Sequence, residues 1–188
     1  MRKLILGSLC LAFLASCTKD YSPMDIDDSR NPLEGTFTYT LDGKEITANA
    51  KSVSLTKDED TGIKTLIVSG VKYSSDMEVV KSNSLTFTIS HYDGEKKYTM
   101  SEYMMATYTK GDHLDKSADF SLQKNYLSIN TVANPNPDEE DFQSYVNIES
   151  DGDTFKGDFD LWLVYTNPQD ASIKDTIHIE GGKFEIKE

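Results

Sequence analysis

Residues 35 to 43 read Gly35-Thr36-Phe37-Thr38-Tyr39-Thr40-Leu41-Asp42-Gly43, with apolar and hydroxyl side chains in strict alternation before a turn dipeptide. A period of two places Phe37, Tyr39 and Leu41 on one side of a strand and the threonines on the other. Asp42-Gly43 supplies the two residues of a tight hairpin, because both tolerate positive φ. Ile46, Ala48 and Ala50 continue the alternation on the return strand.

The same pattern recurs along the chain. Leu85, Phe87, Ile89 and His91 alternate with Thr86, Thr88 and Ser90 and run into Asp93-Gly94, where a second hairpin is expected. Phe120-Leu122 and Leu127-Ile129 bracket Lys124-Asn125, and Val146-Ile148 and Phe155-Phe159 bracket Asp151-Gly152. Ile63 to Tyr73 carries apolar groups in both phases, as a strand covered on both sides would. Ile177 and Ile179 fall on odd numbers, but Phe184 and Ile186 fall on even ones, so Gly181-Gly182 must absorb a slip, most simply as a β-bulge. Ser101 to Tyr108 suits a strand or two helical turns, and Pro137 to Asp141 resembles a helix start before a strand-like composition returns. About ten short strands at hairpin spacing predict an all-β fold. The expected form is an antiparallel meander closing into a two-sheet β-sandwich, with a lipocalin-like β-barrel as the alternative.

The chain has 188 residues, 19 Lys plus Arg against 32 Asp plus Glu, and a formal charge of -13. An acidic chain without a basic stripe cannot release counterions from phosphates, which argues against nucleic acid as a partner. Two cysteines build neither a disulfide scaffold nor a Cys-rich zinc site.

Arg2 and Lys3 precede an apolar run from Leu4 to Leu14, followed by Ala15, Ser16 and Cys17. That order is a charged n-region, an h-region and a small-residue cleavage site. A membrane span needs about 20 apolar residues, and Lys19 and Asp20 cut this run short. Leu14-Ala15-Ser16-Cys17 resembles the lipobox of bacterial lipoproteins, which implies a signal peptide over residues 1–16 and acyl chains such as palmitate on Cys17. Acylation would consume the thiol, and Cys10 would leave with the signal peptide. Losing Arg2 and Lys3 removes two positive charges and no negative ones, taking the charge from -13 to -15. Lys19-Asp20 behind Cys17 is similar to the signal that sends Bacteroidota lipoproteins to the cell exterior, with Tyr21 where that pattern prefers a second acid. The resemblance implies a location on the outer membrane and at the cell surface, with the periplasmic face as the alternative. Residues 17–34 read as a lipidated N-terminus and flexible tether, with a coil reach of about 20 to 25 Å, and residues 35–188 as a single β domain.

The opening hairpin, Phe155-Lys156-Gly157-Asp158-Phe159 and Ile179-Glu180-Gly181-Gly182-Lys183-Phe184 together resemble a group of small Bacteroidota lipoproteins. That resemblance implies a surface or periplasmic β domain without assigned catalysis. The chain departs from the group at Asp158 and Asp160, where Thr or Ser is more usual.

Constellations that carry chemistry are missing. There is no Gly-x-Ser-x-Gly elbow, no Ser-x-x-Lys, and no phosphate or dinucleotide glycine loop. His91, His113 and His178 lie at no ligand spacing, so no metal or cofactor is implied. His91 shares the phase of Phe87 and Ile89, as a core or rim histidine would, whereas His178 alternates with Ile177 and Ile179 and is expected to face solvent. Asp58 to Gly62, Asp138 to Asp141 and Asp151 to Asp153 lack calcium-loop spacing and read as solvated turns.

Phe155 to Thr166 is the informative strand for function. Its odd positions, Phe155 to Tyr165, are core-facing, and its even positions are Lys156, Asp158, Asp160, Trp162, Val164 and Thr166. The single tryptophan therefore shares a polar face with two carboxylates, in a row whose members lie about 6.5 to 7 Å apart. Sugars stack an apolar ring face on an aromatic and donate hydroxyls to carboxylates, so Asp158, Asp160 and Trp162 form a candidate glycan site. The more ordinary reading of the same residues is a Trp162-Val164 patch capped by a neighbouring loop, since isolated exposed apolar residues need no explanation. Glycosidases need carboxylates facing each other across a substrate, which neighbours on one strand do not provide. The expected function is a non-enzymatic, lipid-anchored binding or assembly module with a glycan or envelope protein as partner. The alternative is a barrel carrying a small apolar ligand in the envelope.

Overall fold

Alternation becomes structure wherever one side of a strand can be removed from water, and here it does so along the described chain. A computed structural model describes residues 33–76, 79–100, 103–114, 124–128, 143–172 and 174–188. Among the described residues eleven strands follow one another: β1 (Gly35–Leu41), β2 (Lys44–Thr47), β3 (Ala50–Lys57), β4 (Lys64–Asp76), β5 (Val79–Ser90), β6 (Lys96–Thr99), β7 (Met104–Leu114), β8 (Lys124–Ser128), β9 (Tyr145–Asp151), β10 (Thr154–Thr166) and β11 (Lys174–Lys187). Every pairing is antiparallel, in the order β2-β1-β11-β10-β8-β7-β5-β4-β3. Strand β10 changes partner along one edge. Its first half pairs with β9, which continues to β6, and Leu163 and Val164 pair with β8.

The protein is all-β, a curled antiparallel sheet that forms a half-barrel, and both the sandwich and the barrel expected from the sequence fit it. The curl brings the two ends of the sheet together through one short segment. Ala48 donates its N–H to Phe37 O on β1 at 2.9 Å, and the next residue, Asn49, donates to Val71 O on β4 at 2.8 Å.

Inside the curl four phenylalanines meet. Phe37 (β1), Phe87 (β5), Phe159 (β10) and Phe184 (β11) are buried, and every pair of their rings has centroids 5.4 to 6.5 Å apart. Each burial is worth about 1.5 to 3 kcal/mol and each aromatic pair about 0.5 to 1.5 kcal/mol more. Glycines make room for the rings. Phe159 sits directly across from Gly182 and Phe184 from Gly157. A Cβ on Gly182 would lie 2.1 Å from the Phe159 ring, and one on Gly70 would lie 2.3 Å from Phe37. Beyond the quartet, buried Tyr108 is pushed up to about 12, chiefly by burial. The Tyr126 phenol is raised by burial and by donating to Asp175 Oδ2 at 2.8 Å.

Three sequence expectations hold. Asp42 and Gly43 both have positive φ, 52° and 71°, as the tight hairpin requires. Thr38 pairs with Lys183 and Thr40 with Glu180, so Gly181 and Gly182 face one residue, Tyr39. Gly181 has φ 56°, and the bulge it makes brings Ile179 and Phe184 into the same core. The Asp151-Gly152 hairpin also forms, with Gly152 and Asp153 as its central pair.

Three expectations need correction. Asp93-Gly94 turns the chain but joins no hairpin. Both edges of β5 are already taken, by β4 and β7, so β6 pairs with β9 instead. Lys124-Asn125 are strand residues, opposite Lys110 and Thr109. Strand β4 is covered on one side only, with Leu66 and Val68 fully buried while Ile67 is 37% exposed. Ser101-Tyr108 resolves as strand from Met104 onward. The signal peptide with Cys17, most of the tether, Phe120-Leu122 and Asp138-Asp141 lie outside the described residues.

Neighbouring glycines separate packing from backbone strain. Gly182→Ala drives a methyl into Phe159 and is expected to cost about 1 to 3 kcal/mol by overpacking, whereas Gly181→Ala meets nothing within 4 Å and costs only its left-handed φ. In thermal melts, Phe159→Leu should recover part of the loss in Gly182→Ala and none of that in Gly181→Ala. An unchanged melting temperature in Gly182→Ala contradicts the packing.

Candidate functional site

The outward side of β10 gathers titratable and aromatic side chains. Asp158, Asp160 and Trp162 project from it as expected, and the register with β11 sets Trp162 opposite His178 and Asp158 opposite Lys183. The indole and imidazole rings stack with centroids 3.9 Å apart and planes 8° from parallel. His178 Nε2 lies 2.6 Å from Asp160 Oδ1, and Nδ1 lies 3.0 Å from Glu180 Oε1. His178 is on the outer side, as the alternation predicts, but its side chain is only 26% exposed and Asp160 27%, because the indole and two carboxylates surround it. The cap over Trp162 is therefore a cross-strand histidine.

The backbone beneath the indole is satisfied at the point where β10 changes partner. Pairing with β9 ends at Asp160 and pairing with β8 starts at Leu163, which leaves the Trp162 N–H between two ladders. Buried Ser144 accepts that N–H on its Oγ at 2.7 Å. On the other flank, Asn147 donates from Nδ2 to Asp158 Oδ1 at 3.2 Å. The Tyr145 phenol is pushed up first by burial, then by the charge of Asp158 and a hydrogen bond to it, with Asp160 adding a smaller push. Lys97 Nζ sits 3.9 Å from the Tyr145 ring centroid. The three residues expected from sequence are thus one edge of a larger cluster that adds Tyr145, Asn147, His178 and Glu180. Alternation with Ile177 and Ile179 assigns His178 to the outer side, but its place opposite Trp162 is set by the β10–β11 register.

A second feature lies at one end of the curled sheet. A cleft of about 720 Å³ opens there between the turns after β3, β5 and β9, with Leu55, Ile63, Tyr92 and Phe155 as apolar lining and His91 and Lys64 among its polar groups. His91 is not in the core. Strand β5 ends one residue earlier, and His91 takes φ 64° at the exposed rim, its ring 4.3 Å from that of Tyr103. Asp93 beside it is held below the usual carboxylate value, first by the hydrogen bond from Lys96 and then by Tyr98. His113 lies on β7 opposite Val80, apart from both sites.

Neither region gathers metal ligands. Among the described residues no three His, Cys, Asp or Glu side chains come together to hold an ion. Asp58 instead closes its own turn, accepting from the N–H and hydroxyl of Thr61, both at 2.7 Å. No helix of the described residues is long and apolar enough to cross a membrane. No family model matches the chain, and no curated protein or solved structure matches it either.

The stack has an optical signature, because Trp162 is the one tryptophan in the chain. The imidazole covers one face of the indole, so His178→Ala lets water reach that face and is expected to move tryptophan emission to longer wavelength. Emission that does not change contradicts the stack.

Proposed function

We propose that the chain is a lipid-anchored β domain of the outer membrane, displayed at the cell surface, that binds glycans through the outward side of β10 and catalyses no reaction. The observation that carries this reading is the Trp162 indole held flat against His178 in a row with Asp158 and Asp160. A fixed aromatic plane beside carboxylate acceptors is what a pyranose ring needs. Its apolar face would stack on the side of the indole away from His178, its hydroxyls donate, and little side-chain entropy remains to be lost on binding. The inward side supports an external site, since the phenylalanine quartet fills the space between the strands.

The same geometry argues for binding without catalysis. In a nucleophile-histidine-acid triad one ring nitrogen faces a carboxylate and the other faces a hydroxyl. Both nitrogens of His178 face carboxylates, leaving none to activate a nucleophile. Asp158 and Asp160 stand side by side on one strand, not on opposite flanks of a cleft, which does not suit a glycosidase pair. Lipidation at Cys17 would hold this domain at the membrane, with the tether giving it reach.

A second reading, a carrier of a small apolar ligand, is favoured by the 720 Å³ cleft, which falls in the range of small-molecule sites. With the interior filled, such a ligand would sit at the rim against Tyr92 and Phe155. A thermal-shift screen separates the two readings. Soluble neutral glycans are expected to raise the melting temperature of the parent chain and not of Trp162→Ala. A shift by fatty acids that survives Trp162→Ala favours the carrier, and no shift with any glycan overturns the first reading. For the anchor, Cys17→Ser should move the protein out of the membrane fraction.

A further inference from the structure

The wall formed by β3, β4, β5, β7 and β8 presents an outer side of unusual composition. Residues in register across it form rows: Thr56-Thr65-Ser90, Ser54-Ile67-Thr88-Met105, Ala50-Val71-Ser84-Thr109-Asn125, and Tyr73-Ser82. The longest row continues onto β10 and β11 as Ser52-Ser69-Thr86-Thr107-Leu127-Val164-Thr176. No residue in these rows carries a charge, in a chain that is 27% Asp, Glu, Lys and Arg. The lysines of these strands, among them Lys51, Lys72, Lys110 and Lys124, all fall in the core-facing phase.

The rest of the outer surface is different. In the outward phase of β2, β9, β10 and β11 stand Glu45, Glu149, Lys156, Asp158, Asp160, Glu180, Lys183, Glu185 and Lys187. All five large apolar side chains that stand exposed among the described residues, Ile67, Tyr73, Tyr103, Met105 and Leu127, lie on the neutral wall or at its rim, at 37 to 54% exposure. Single exposed apolar residues need no explanation, but their confinement to one charge-free wall marks an interaction surface.

We propose that this wall is the interface through which two copies of the chain associate. Charge selects the occupant. A body with a formal charge of -13 repels its own copy everywhere that acids are displayed, and the wall is where two copies meet without like charges in register. Size is sufficient. Five strands, each about 4.8 Å wide and about nine residues long, give a face of roughly 24 by 27 Å, on the order of 650 Å² per copy. Two such faces reach the lower end of standard interfaces, about 1,200 Å² in total. A two-fold contact pairs the patch with itself, so Met105 and Leu127 of one copy pack among the small Ser and Thr side chains of the other. The Trp162-His178 cluster borders the wall through Val164, so a dimer would set two such sites on one assembly.

The test is cross-linking of the full chain in the cells that produce it. Thr88→Cys, Thr107→Cys and Leu127→Cys each receive a short bis-maleimide, with the parent chain as background for Cys10 and Cys17. Glu185→Cys, on the charged side, serves as control. At least one wall variant is expected to give a homodimer band several-fold above background while Glu185→Cys stays at background. Adding Met105→Glu, at a side chain already half exposed, should abolish that band without changing the thermal melt. Bands from none of the wall variants, or equal bands from the control, overturn the proposal. So does cross-linking of the wall variants only to other proteins, which assigns the wall to a different partner.

Discussion

Four benzyl side chains in mutual contact impose the shape of this protein. Phe37, Phe87, Phe159 and Phe184 come from strands that are not all neighbours in the sheet, so they can touch only if the sheet curls until its inner side meets itself. The contact in turn demands glycine where a ring presses on an opposing backbone. Gly70 and Gly182 are such sites, where a Cβ would meet the Phe37 and Phe159 rings, whereas a Cβ on Gly157 would first meet the Asn147 carbonyl of β9. Filling the interior this way removes the space a deep cavity would need, which pushes any binding function to the rim or to the outer side of the strands.

Because successive residues point to opposite sides, a sheet with a filled interior must express its function in the other phase. The outward phase divides into two territories. Around β9, β10 and β11 it is charged and aromatic, with side chains that hold one another in place: Asn147 on Asp158, His178 between Asp160 and Glu180, and Trp162 flat on His178. Around β3 to β8 it is hydroxyl-rich and neutral. The Gly181 bulge links the two phases of β11. Without the extra residue, either Phe184 would leave the core, or Ile179 would leave it and His178 would turn away from Trp162.

Much of this was legible in the sequence where the cause was local. Asp42-Gly43 can adopt a tight turn on its own, the phase slip between Ile179 and Phe184 announces a bulge at the glycines between them, and the alternation from Phe155 to Thr166 assigns Asp158, Asp160 and Trp162 to the outer side. What escaped depends on long-range pairing. Asp93-Gly94 has hairpin chemistry, but nothing nearby tells that β5 is already paired on both edges. Apolar groups in both phases of Ile63 to Tyr73 suggest burial on both sides, whereas Ile67 belongs to the exposed wall, which becomes visible only when strands distant in sequence are aligned. The partnership of Trp162 with His178 likewise needs the register between β10 and β11, a property of the pair.

Both territories rest on the closed aromatic core, and ring-to-ring contacts report it without altering the chain. A nuclear Overhauser spectrum with selectively labelled phenylalanine is the most direct measurement. The account predicts cross-peaks between the rings of Phe37 and Phe87, which sit on non-adjacent strands with centroids 6.4 Å apart, together with cross-peaks from both to Phe159. Cross-peaks joining Phe159 and Phe184 of adjacent strands, with none linking Phe37 to Phe87, would describe an open sheet and contradict it.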